Sequence, residues 1–364
     1  MKGRVETGAP RLAALDRGRD NNLNLVRAVA ATGVLASHAW PIAGGGASID
    51  PLEASIGFSL GALCVYVFFA VSGYLIVGSW ARRPRIGRFL AARSLRLLPG
   101  LVVSLLAVAL VLGPATTTRP LWDYLTDPEV PAFLLRNATL AFPVYTLPGV
   151  FEGNPYPKVE GSIWTLIHEA LCYGLVLLLG LAGATGRRLG PVLVAGALVW
   201  LAAPATGLVV GRLAALHDLV LPFGLGMAAY AWRDRLPLSG PLAALGLTAA
   251  LCLGLAMPGG AVARVALVAA LGYATLWAAY VPSGAVRAYN RVGDYSYGIY
   301  IYAFPLQGLA VWAWGPQTPL ANIALAAPMT LVAAIASWHL IEAPALRLLR
   351  PGGLSARTAQ RGAR

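Results

Sequence analysis

Long uninterrupted apolar blocks constrain this chain more than any other feature of its sequence. The blocks extend over about 17–25 residues, which is the length of helix that crosses a hydrocarbon core of about 30 Å. Runs such as GLVVSLLAVALVLG do not alternate between apolar and polar residues, so they favour helices over the strands of a membrane β-barrel. The sequence therefore predicts an all-α, polytopic membrane protein, a bundle of about ten transmembrane helices. The predicted spans are roughly 23–42, 57–80, 97–113, 161–182, 191–210, 216–232, 241–257, 263–281, 295–314 and 319–341.

The composition and the placement of charge support the same class of protein. Of the 364 residues, 58% are hydrophobic and only 12% are charged, whereas a soluble domain has about 25% charged residues. With a cytoplasmic N-terminus, 22 of the 28 Lys and Arg residues fall in segments on the cytoplasmic side and five fall on the outer side. This asymmetry follows the positive-inside rule. It predicts that both termini are cytoplasmic, and it explains the net charge of +13 without a nucleic-acid partner.

The chain is predicted to form one membrane domain with a tail at each end. Residues 1–22 are a cytoplasmic N-terminal tail without a signal-peptide cleavage site. Residues 23–344 form the transmembrane domain, and residues 345–364 form a basic cytoplasmic tail. The three cysteines all fall inside apolar spans, so we expect them to pack rather than to form disulfides. The four histidines show no metal-binding spacing, so no metal site is predicted.

Two segments between the apolar blocks are unusual. The cytoplasmic segment 81–100 carries six arginines, and it suits either anionic lipid headgroups or a phosphorylated cytoplasmic donor. The outer segment 114–160 is far longer than a usual connection, and loops of that length tend to be functional. It includes an apolar piece, VPAFLLRNATLAF, which is too short to cross the bilayer and is expected to lie re-entrant or interfacial.

The first span, LVRAVAATGVLASHAW, contains two ionisable residues, Arg27 and His38. Ionisable residues inside a span are functional candidates by default. A separation of eleven residues puts both side chains on one helical face, about 16 Å apart along the axis. Arg27 could instead extend to the inner interface and His38 to the outer headgroups. A shared face favours a polar stripe that points into the bundle.

The fourth span, GSIWTLIHEALCY, contains a carboxylate, Glu169. It is expected about two turns from the outer face, at a depth comparable to that of His38. A carboxylate and an imidazole that meet inside a bundle would form a general-base pair, although Glu169 could equally pair with a buried arginine. His168 points about 100° away from Glu169 and is expected to pack or orient. Tyr173, one turn later, is expected to share the face of Glu169.

Two further stretches contain candidate polar residues. In VYVFFAVSGYLIVGSW, Ser72 and Gly73 offer a small surface for close helix contact. Ser72 lacks the strand–turn–helix setting of an esterase nucleophile, so packing is favoured. In VGDYSYGIYIYAFPLQ, the tyrosines, Tyr297 among them, either line one helical face or form an aromatic belt at the interface.

Six stretches, in the same order along the chain, resemble motifs of the acyltransferase 3 family of membrane acyltransferases. The resemblance covers about residues 21–350. The stretches are NNLNLVRAVAATGVLASHAWPI with its Arg-x10-His signature, VFFAVSGYLI, RFLAARSLRLLPG, GSIWTLIHEALCY, GDYSYGIYIYAFP and WHLIEAP.

The resemblance implies a multi-pass enzyme of the bacterial inner membrane. Such an enzyme takes an acyl group, usually acetyl, from acyl-CoA in the cytoplasm and places it on a hydroxyl of an extracytoplasmic sugar, glycan or other acceptor. It implies no bound cofactor, because acetyl-CoA is the donor substrate, and it points to glycan-synthesis machinery as a partner. By the resemblance, Arg27 and His38 are catalytic-site residues, Glu169 is essential or orienting, and Arg93 and Arg96 bind donor phosphates. The predicted catalytic residues are therefore Arg27, His38 and Glu169. The predicted substrate- or donor-binding residues are Ser72, Arg88, Arg93, Arg96, Trp164, Tyr173 and Tyr297.

The sequence departs from the family pattern at one position. Members of the family commonly have a histidine where this chain has Ala303, so any role of that histidine is missing here. Two alternatives stay open beside an acyltransferase, and only the second is suggested by Ala303. One is a transporter or flippase that uses Arg27, His38 and Glu169 as a proton relay, although the spans lack the paired interrupted helices of transporter repeats. The other is a catalytically inactive relative that acts as a scaffold.

Overall fold

The computed structural model describes residues 9–16, 18, 20–186 and 188–349. Residues 1–8 of the predicted N-terminal tail and residues 350–364 of the predicted C-terminal tail lie outside this part of the chain. Within the described part all regular secondary structure is helical, apart from two isolated β-bridges. The prediction of an all-α protein is therefore confirmed.

Ten long helices in the described residues correspond one to one to the ten predicted spans. They are α1 (Leu23–Gly44), α2 (Leu60–Arg82), α3 (Ile86–Ala107), α4 (Trp164–Leu181), α5 (Leu189–Ala202), α6 (Gly211–Ala231), α7 (Gly240–Ala256), α8 (Ala261–Tyr280), α9 (Ser296–Trp314) and α10 (Pro319–Ser337). Eight helices are long and apolar enough to cross a membrane; α7 is a shorter apolar helix, and α9 is not among the eight. The chain is thus a polytopic membrane protein.

Two of these helices extend beyond the predicted spans. α3 begins at Ile86, so its first three turns contain Arg88, Arg93 and Arg96 of the arginine-rich segment. A π-helical turn and one further helical turn continue the helix to Thr116. α10 continues through a similar π-helical turn at Trp338–Glu342. The two extensions matter for function because they bring Arg93, Arg96 and Glu342 into the helix bundle.

The helix α2 lies at the centre of the bundle. It packs against α1, α4, α6 and α8. About two thirds of its apolar stretch is buried inside the bundle. Its closest neighbour is α6, where Gly73 lies against the Phe223 carbonyl and Gly226 lies against the Ala70 carbonyl. Small residues allow two backbones to approach this closely. The close helix contact predicted at Ser72 and Gly73 is therefore present.

Gly73→Ala is expected to destabilise the protein. A Cβ at this position would overlap the Phe223 carbonyl oxygen, and overpacking of this kind costs about 1–3 kcal/mol. Gly174→Ala is the matched control, because a Cβ there meets nothing within 4 Å; alanine is the better helix former by about 0.5–1 kcal/mol. Thermal unfolding in detergent should show a lower midpoint for Gly73→Ala only. Equal midpoints for the two variants would contradict the close packing of α2 on α6.

The two ends of the bundle differ in character. We call the end where α1 begins and α2 ends the arginine end, because it carries Arg82, Arg83 and the start of α3. We call the opposite end the loop end, because the segment 114–160 covers it. This segment contains the short helices Leu121–Thr126 and Glu129–Ala138. The second of these is formed by the short apolar piece of the sequence, and it packs on α3.

The loop segment is fixed to the bundle by specific contacts. The side-chain amide of Asn154 donates to the Gly308 carbonyl of α9 at 2.9 Å. The ring of Phe151 is buried against Gly308, and a β-bridge joins Thr117 to Val150. The long predicted loop is therefore an ordered cap on the loop end.

Part of the predicted N-terminal tail is also ordered. Leu12 is fully buried, and its N–H donates to the Leu236 carbonyl in the connection between α6 and α7. The Tyr74 hydroxyl of α2 donates to Asp16 at 2.8 Å. Residues 10–16 of the predicted tail are therefore ordered on the arginine end, where Leu12 gains a buried apolar site and the backbone gains hydrogen bonds. The assignment of residues 1–22 to a cytoplasmic tail stays a prediction.

Candidate active site

A cavity of about 190 Å³ opens among α1, α2, α3, α4 and α9 in the half of the bundle nearer the arginine end. It brings together seven of the ten site residues predicted from the sequence. Those that line it are Arg27, Ser72, Arg93, Arg96, Glu169, Tyr173 and Tyr297. The other three predicted residues, His38, Arg88 and Trp164, do not line it.

Two of the cavity arginines are held by a shared carboxylate, Asp294, just before α9. Nη1 of Arg27 lies 2.5 Å from Oδ2 of Asp294, and Nη2 of Arg96 lies 2.6 Å from the same oxygen. Arg96 also reaches Glu342 at 3.4 Å. Burial raises the pKa of the Asp294 carboxyl, but Arg27, Arg96 and hydrogen bonds from Ser296 outweigh it and lower that pKa to about 2. Asp294 is therefore an anion at neutral pH, and it positions both guanidinium groups.

Asp294 is a site residue that was not predicted from the sequence, although Asp294 and Glu342 lie in two of the stretches that resemble the family motifs. The signal was present, because the chain has only 15 acidic residues and a carboxylate next to an apolar span needs a partner. What the sequence could not show was that Arg27 and Arg96, which lie on different helices, converge on one oxygen of Asp294.

Arg93 differs from its two neighbours. Among the described residues it forms no ion pair, and its Nε is buried without a hydrogen-bond partner. Its guanidinium lies 5.8 Å from the centre of the Tyr173 ring, an arrangement in which the ring face attracts the cation. Arg93 therefore has unused N–H donors in a polar cavity, which is the property expected of a group that binds an anion.

Glu169 is fixed by two hydroxyl groups. Its Oε1 accepts a hydrogen bond from Ser72 of α2 at 3.2 Å and another from Tyr173, one turn later on α4. Tyr173 therefore shares the face of Glu169, as predicted. Among the described residues the carboxylate forms no ion pair with an arginine. It holds the Ser72 hydroxyl and the Tyr173 hydroxyl, and the Tyr173 ring lies 5.8 Å from the Arg93 guanidinium.

His38 lies apart from this cluster. Its ring packs edge-on against Phe304 of α9, with the ring centres 5.3 Å apart. Among the described residues it forms no hydrogen bond, and it does not contact Glu169. His38 and Arg27 nevertheless face the same neighbour, since Arg27 pairs with Asp294 at the start of α9. The shared face predicted for α1 is therefore present.

The equal depth predicted for His38 and Glu169 is not observed. The antiparallel pair α1 and α2 sets the depths, because Gly33 lies against Cys64 and Gly61 against Ser37. His38 is thus level with the first turn of α2, and Ser72, which binds Glu169, is level with Arg27. The residues before α4 dip into the bundle, so that Gly161 already packs against Phe304. Glu169 consequently lies deeper than a count from the interface predicts.

Two further predicted residues, Trp164 and Arg88, lie outside the cavity. Trp164 begins α4, and its carbonyl is 3.0 Å from Nδ1 of the buried His168, so His168 packs as predicted. Arg88 lines a second pocket, of about 310 Å³, together with Arg82 and Arg83. This basic pocket shares Ala92 and Leu349 with the cavity, so the two adjoin.

The hydroxyl of Tyr297 donates to the Leu97 carbonyl at 2.7 Å, and Arg96 lies over the Tyr297 ring. The ring therefore lines a face of the site, as one of the two sequence alternatives predicts. Ala303 is buried in α9 next to Phe304.

Membrane helices around a cavity that contains three arginines define a polytopic membrane protein with a charged site between its helices. The chain belongs to the acyltransferase 3 family, whose acyltransferase domain matches residues 20–340. It is similar to nodulation protein 10 of Rhizobium leguminosarum bv. viciae, with 29% identity over 91% of this chain and 94% of that protein. It is also similar to the O-acetyl transferase of Shigella phage Sf6, with 26% identity over 89% of this chain and 95% of the relative. No solved structure matches the chain. The protein is thus a membrane O-acyltransferase.

Proposed function

We propose that this O-acyltransferase moves an acetyl group from acetyl-CoA in the cytoplasm to a hydroxyl of a sugar or glycan outside the bacterial inner membrane. The observation that carries the proposal is the cavity, in which Arg93 has unused donors beside two arginines held by Asp294. The excess of Lys and Arg in one set of connecting segments supports an arginine end that faces the cytoplasm.

The arginine end suits the charged part of the donor. Coenzyme A carries a pyrophosphate and a further phosphate, and arginine recognises phosphate oxygens through paired N–H donors. Arg93 in the cavity and Arg82, Arg83 and Arg88 in the adjoining basic pocket offer two neighbouring places for these anions. The two pockets meet at Ala92 and Leu349, so one extended molecule can occupy both.

The loop end suits the acceptor. His38 is about 16 Å from Arg27 along α1, and coenzyme A has a long, flexible arm between its phosphates and its thioester. A donor with its phosphates at the arginines can therefore present the acyl group towards His38. In this proposal His38 takes the proton of the acceptor hydroxyl as general base. Tyr300 lines the cavity, and Phe304, one turn further along α9, contacts His38.

Glu169 has a different task in this proposal from the one that the sequence suggested. It lies at the level of Arg27, and it fixes Tyr173, whose ring supports Arg93. We therefore assign it to the positioning of the donor site. Arg27 and Arg96, both fixed by Asp294, complete the positive surface of that site.

The experiment that tests this function uses the purified protein in liposomes with radiolabelled acetyl-CoA and a panel of methyl hexosides. Covalently labelled hexoside is the expected result. A transporter or flippase would move a substrate without labelling it, and an inactive scaffold would do neither. Absence of labelled hexoside with every acceptor in the panel would contradict acetyl transfer to a sugar hydroxyl.

Arg93→Met is expected to weaken donor binding. Methionine keeps much of the buried stem but removes the free N–H donors, and loss of a hydrogen bond to a charged group corresponds to about a 10- to 100-fold higher KM for acetyl-CoA. Arg85→Met is the matched control, since Arg85 is exposed, lies two turns earlier in the same basic segment and lines neither pocket. Steady-state kinetics at varied acetyl-CoA would show the difference. An equal KM for the two variants would remove Arg93 from the donor site.

A further inference from the structure

A carboxyl group that the function above does not use lies at the level of His38. Glu160 immediately precedes Gly161, and Gly161 packs directly against the ring of Phe304. The Phe304 ring in turn contacts His38. The next residue, Ser162, also contacts α9. Its carbonyl accepts a hydrogen bond at 2.7 Å from the hydroxyl of Tyr300, one turn before Phe304. Glu160, rather than Glu169, is therefore a carboxyl beside the loop-end half of the site. The other buried carboxyl at this level, Asp50, already accepts hydrogen bonds on both oxygens, from Ser37, the Glu53 N–H and the Leu60 N–H.

The two carboxyl oxygens of Glu160 differ in their hydrogen bonding. Oε1 accepts three hydrogen bonds, from the Gly161 N–H at 3.1 Å, the Ser162 N–H at 3.1 Å and the Ser162 hydroxyl at 2.8 Å. Oε2 is buried and has no partner among the described residues. Only 1% of the residue is exposed. A buried polar atom without a hydrogen-bond partner is destabilising and rare in folded proteins, and such an atom often has a functional role.

The protonation of Glu160 suits binding to a hydroxyl. Burial raises the pKa of its carboxyl to about 7, although the hydrogen bonds from Ser162 and Gly161 lower it. Near neutral pH the group therefore exists both with and without its proton. A carboxylate accepts from a hydroxyl, and a carboxylic acid also donates to one.

The side chains around Phe304 have the chemistry of a sugar site. The Tyr156 ring lies 6.2 Å from the Phe304 ring, and the ammonium group of Lys158 lies 4.9 Å from the centre of the Tyr156 ring. Aromatic faces with a few convergent polar groups are typical of small-molecule sites. Phe304 is only 3% exposed, and its ring fills the space that His38, Tyr156 and Gly161 enclose.

We propose that His38, Tyr156 and Glu160 form the acceptor subsite, in which the Phe304 ring gives way to a sugar ring and Oε2 of Glu160 binds a sugar hydroxyl. This inference rests on the proposed function and adds to it the place and the chemical class of the acceptor. The sugar ring stacks on the aromatic side chains, one of its hydroxyls faces His38, and a neighbouring hydroxyl is held by Glu160.

The test compares Glu160→Gln with Glu152→Gln in purified protein. Glutamine keeps Oε1 and its three hydrogen bonds but replaces Oε2 with an NH2 group, so the start of α4 is preserved. Glu152 lies in the same segment and is exposed, and within the described part of the chain it accepts a side-chain hydrogen bond only from Thr118. The acceptor is the methyl hexoside that the unmodified protein acetylates fastest. We expect Glu160→Gln to raise the acceptor KM about 10- to 100-fold and to leave the acetyl-CoA KM unchanged, with no change for Glu152→Gln.

The outcomes separate this inference from the function on which it rests. If Glu160→Gln acetylates the hexoside with an unchanged acceptor KM, the subsite is wrong and the acyltransferase function stands. If the unmodified protein acetylates no hexoside, the proposed function fails first. A variant that merely misfolds would lose donor and acceptor kinetics together. In that case the Phe304→Leu variant is the test of the subsite. A smaller side chain leaves room for the sugar ring and should lower the acceptor KM, and an unchanged or higher acceptor KM would overturn the proposal.

Discussion

His38→Gln is expected to lower acetyl transfer by about 10²–10⁴-fold, which is the contribution of a general base. Glutamine fills similar space against Phe304, so the packing of α1 on α9 is retained, but it cannot take a proton from a hydroxyl. The acetyl-CoA KM should stay within about twofold of the unmodified value, because His38 lies about 16 Å from Arg27 along the helix. Initial rates in liposomes at saturating donor and acceptor would measure the effect.

His217→Gln is the control for this prediction. His217 is also a partly buried histidine in a membrane helix, but it stacks on Trp200, 4.5 Å away, and does not line the cavity. Transfer per folded molecule should be unchanged in this variant. Normal transfer by His38→Gln would remove His38 from the chemistry. A fall in rate that is matched by a higher acetyl-CoA KM would place His38 in donor binding instead.

Asp294→Asn is expected to have the largest effect on stability. The substitution keeps the shape of the side chain but removes the charge that Arg27 and Arg96 share. Breaking a buried ion pair on one side leaves uncompensated buried charge and costs about 3–5 kcal/mol. Denaturant unfolding in detergent should therefore show a much lower midpoint, and acetyl transfer should fall because both guanidinium groups lose their position.

The control is a salt bridge of the same kind on the surface. Arg119 pairs with Asp127 at 2.6 Å, but 46% of the Arg119 side chain is exposed, and exposed pairs contribute only about 0–1 kcal/mol. Arg119→Ala should thus change the midpoint little. Equal effects of Arg119→Ala and Asp294→Asn would contradict a buried network around Asp294.

The same network predicts a dependence of stability on pH. The pKa of Asp294 falls from its ordinary value of 3.8 to about 2 in the folded protein. A carboxyl with a lowered pKa stabilises the fold above its unfolded-state pKa and loses that contribution as the pH falls through the folded one. The stability that Asp294 adds should therefore be complete above about pH 5 and be lost progressively as the pH falls to about 1. Asp294→Asn should lack this part of the acid dependence.

The sequence predicted the class and the number of long helices because both follow from local properties. The length of an apolar block and the spacing within one helix do not depend on distant parts of the chain. For the same reason, the shared face of Arg27 and His38 and the pairing of Tyr173 with Glu169 could be read from eleven- and four-residue separations. The resemblance to the family then supplied the chemistry.

The prediction failed where one helix had to be placed against another. Counting residues from an interface put Glu169 level with His38. In the structure the residues before α4 enter the bundle, so Glu160, and not Glu169, is the carboxyl of this part of the chain that lies near the level of His38. The depth at which a helix begins depends on the packing of the preceding loop, which no periodicity records. Asp294 was missed for a related reason, since its two partners come from helices far apart in the sequence.

By itself, then, the sequence determined an all-α polytopic membrane protein, the residues that share a face on each helix, and a strong charge asymmetry between its connecting segments. Hydrophobic length, helical period and charge count are properties of the chain alone. Only the tertiary structure decided that Arg27, Arg93 and Arg96 meet in one cavity, that His38 lies apart from it against Phe304, and that Glu160 has a free oxygen. These are relations between helices, and they are set by close backbone approaches such as Gly73 with the Phe223 carbonyl, which exist only in the packed bundle.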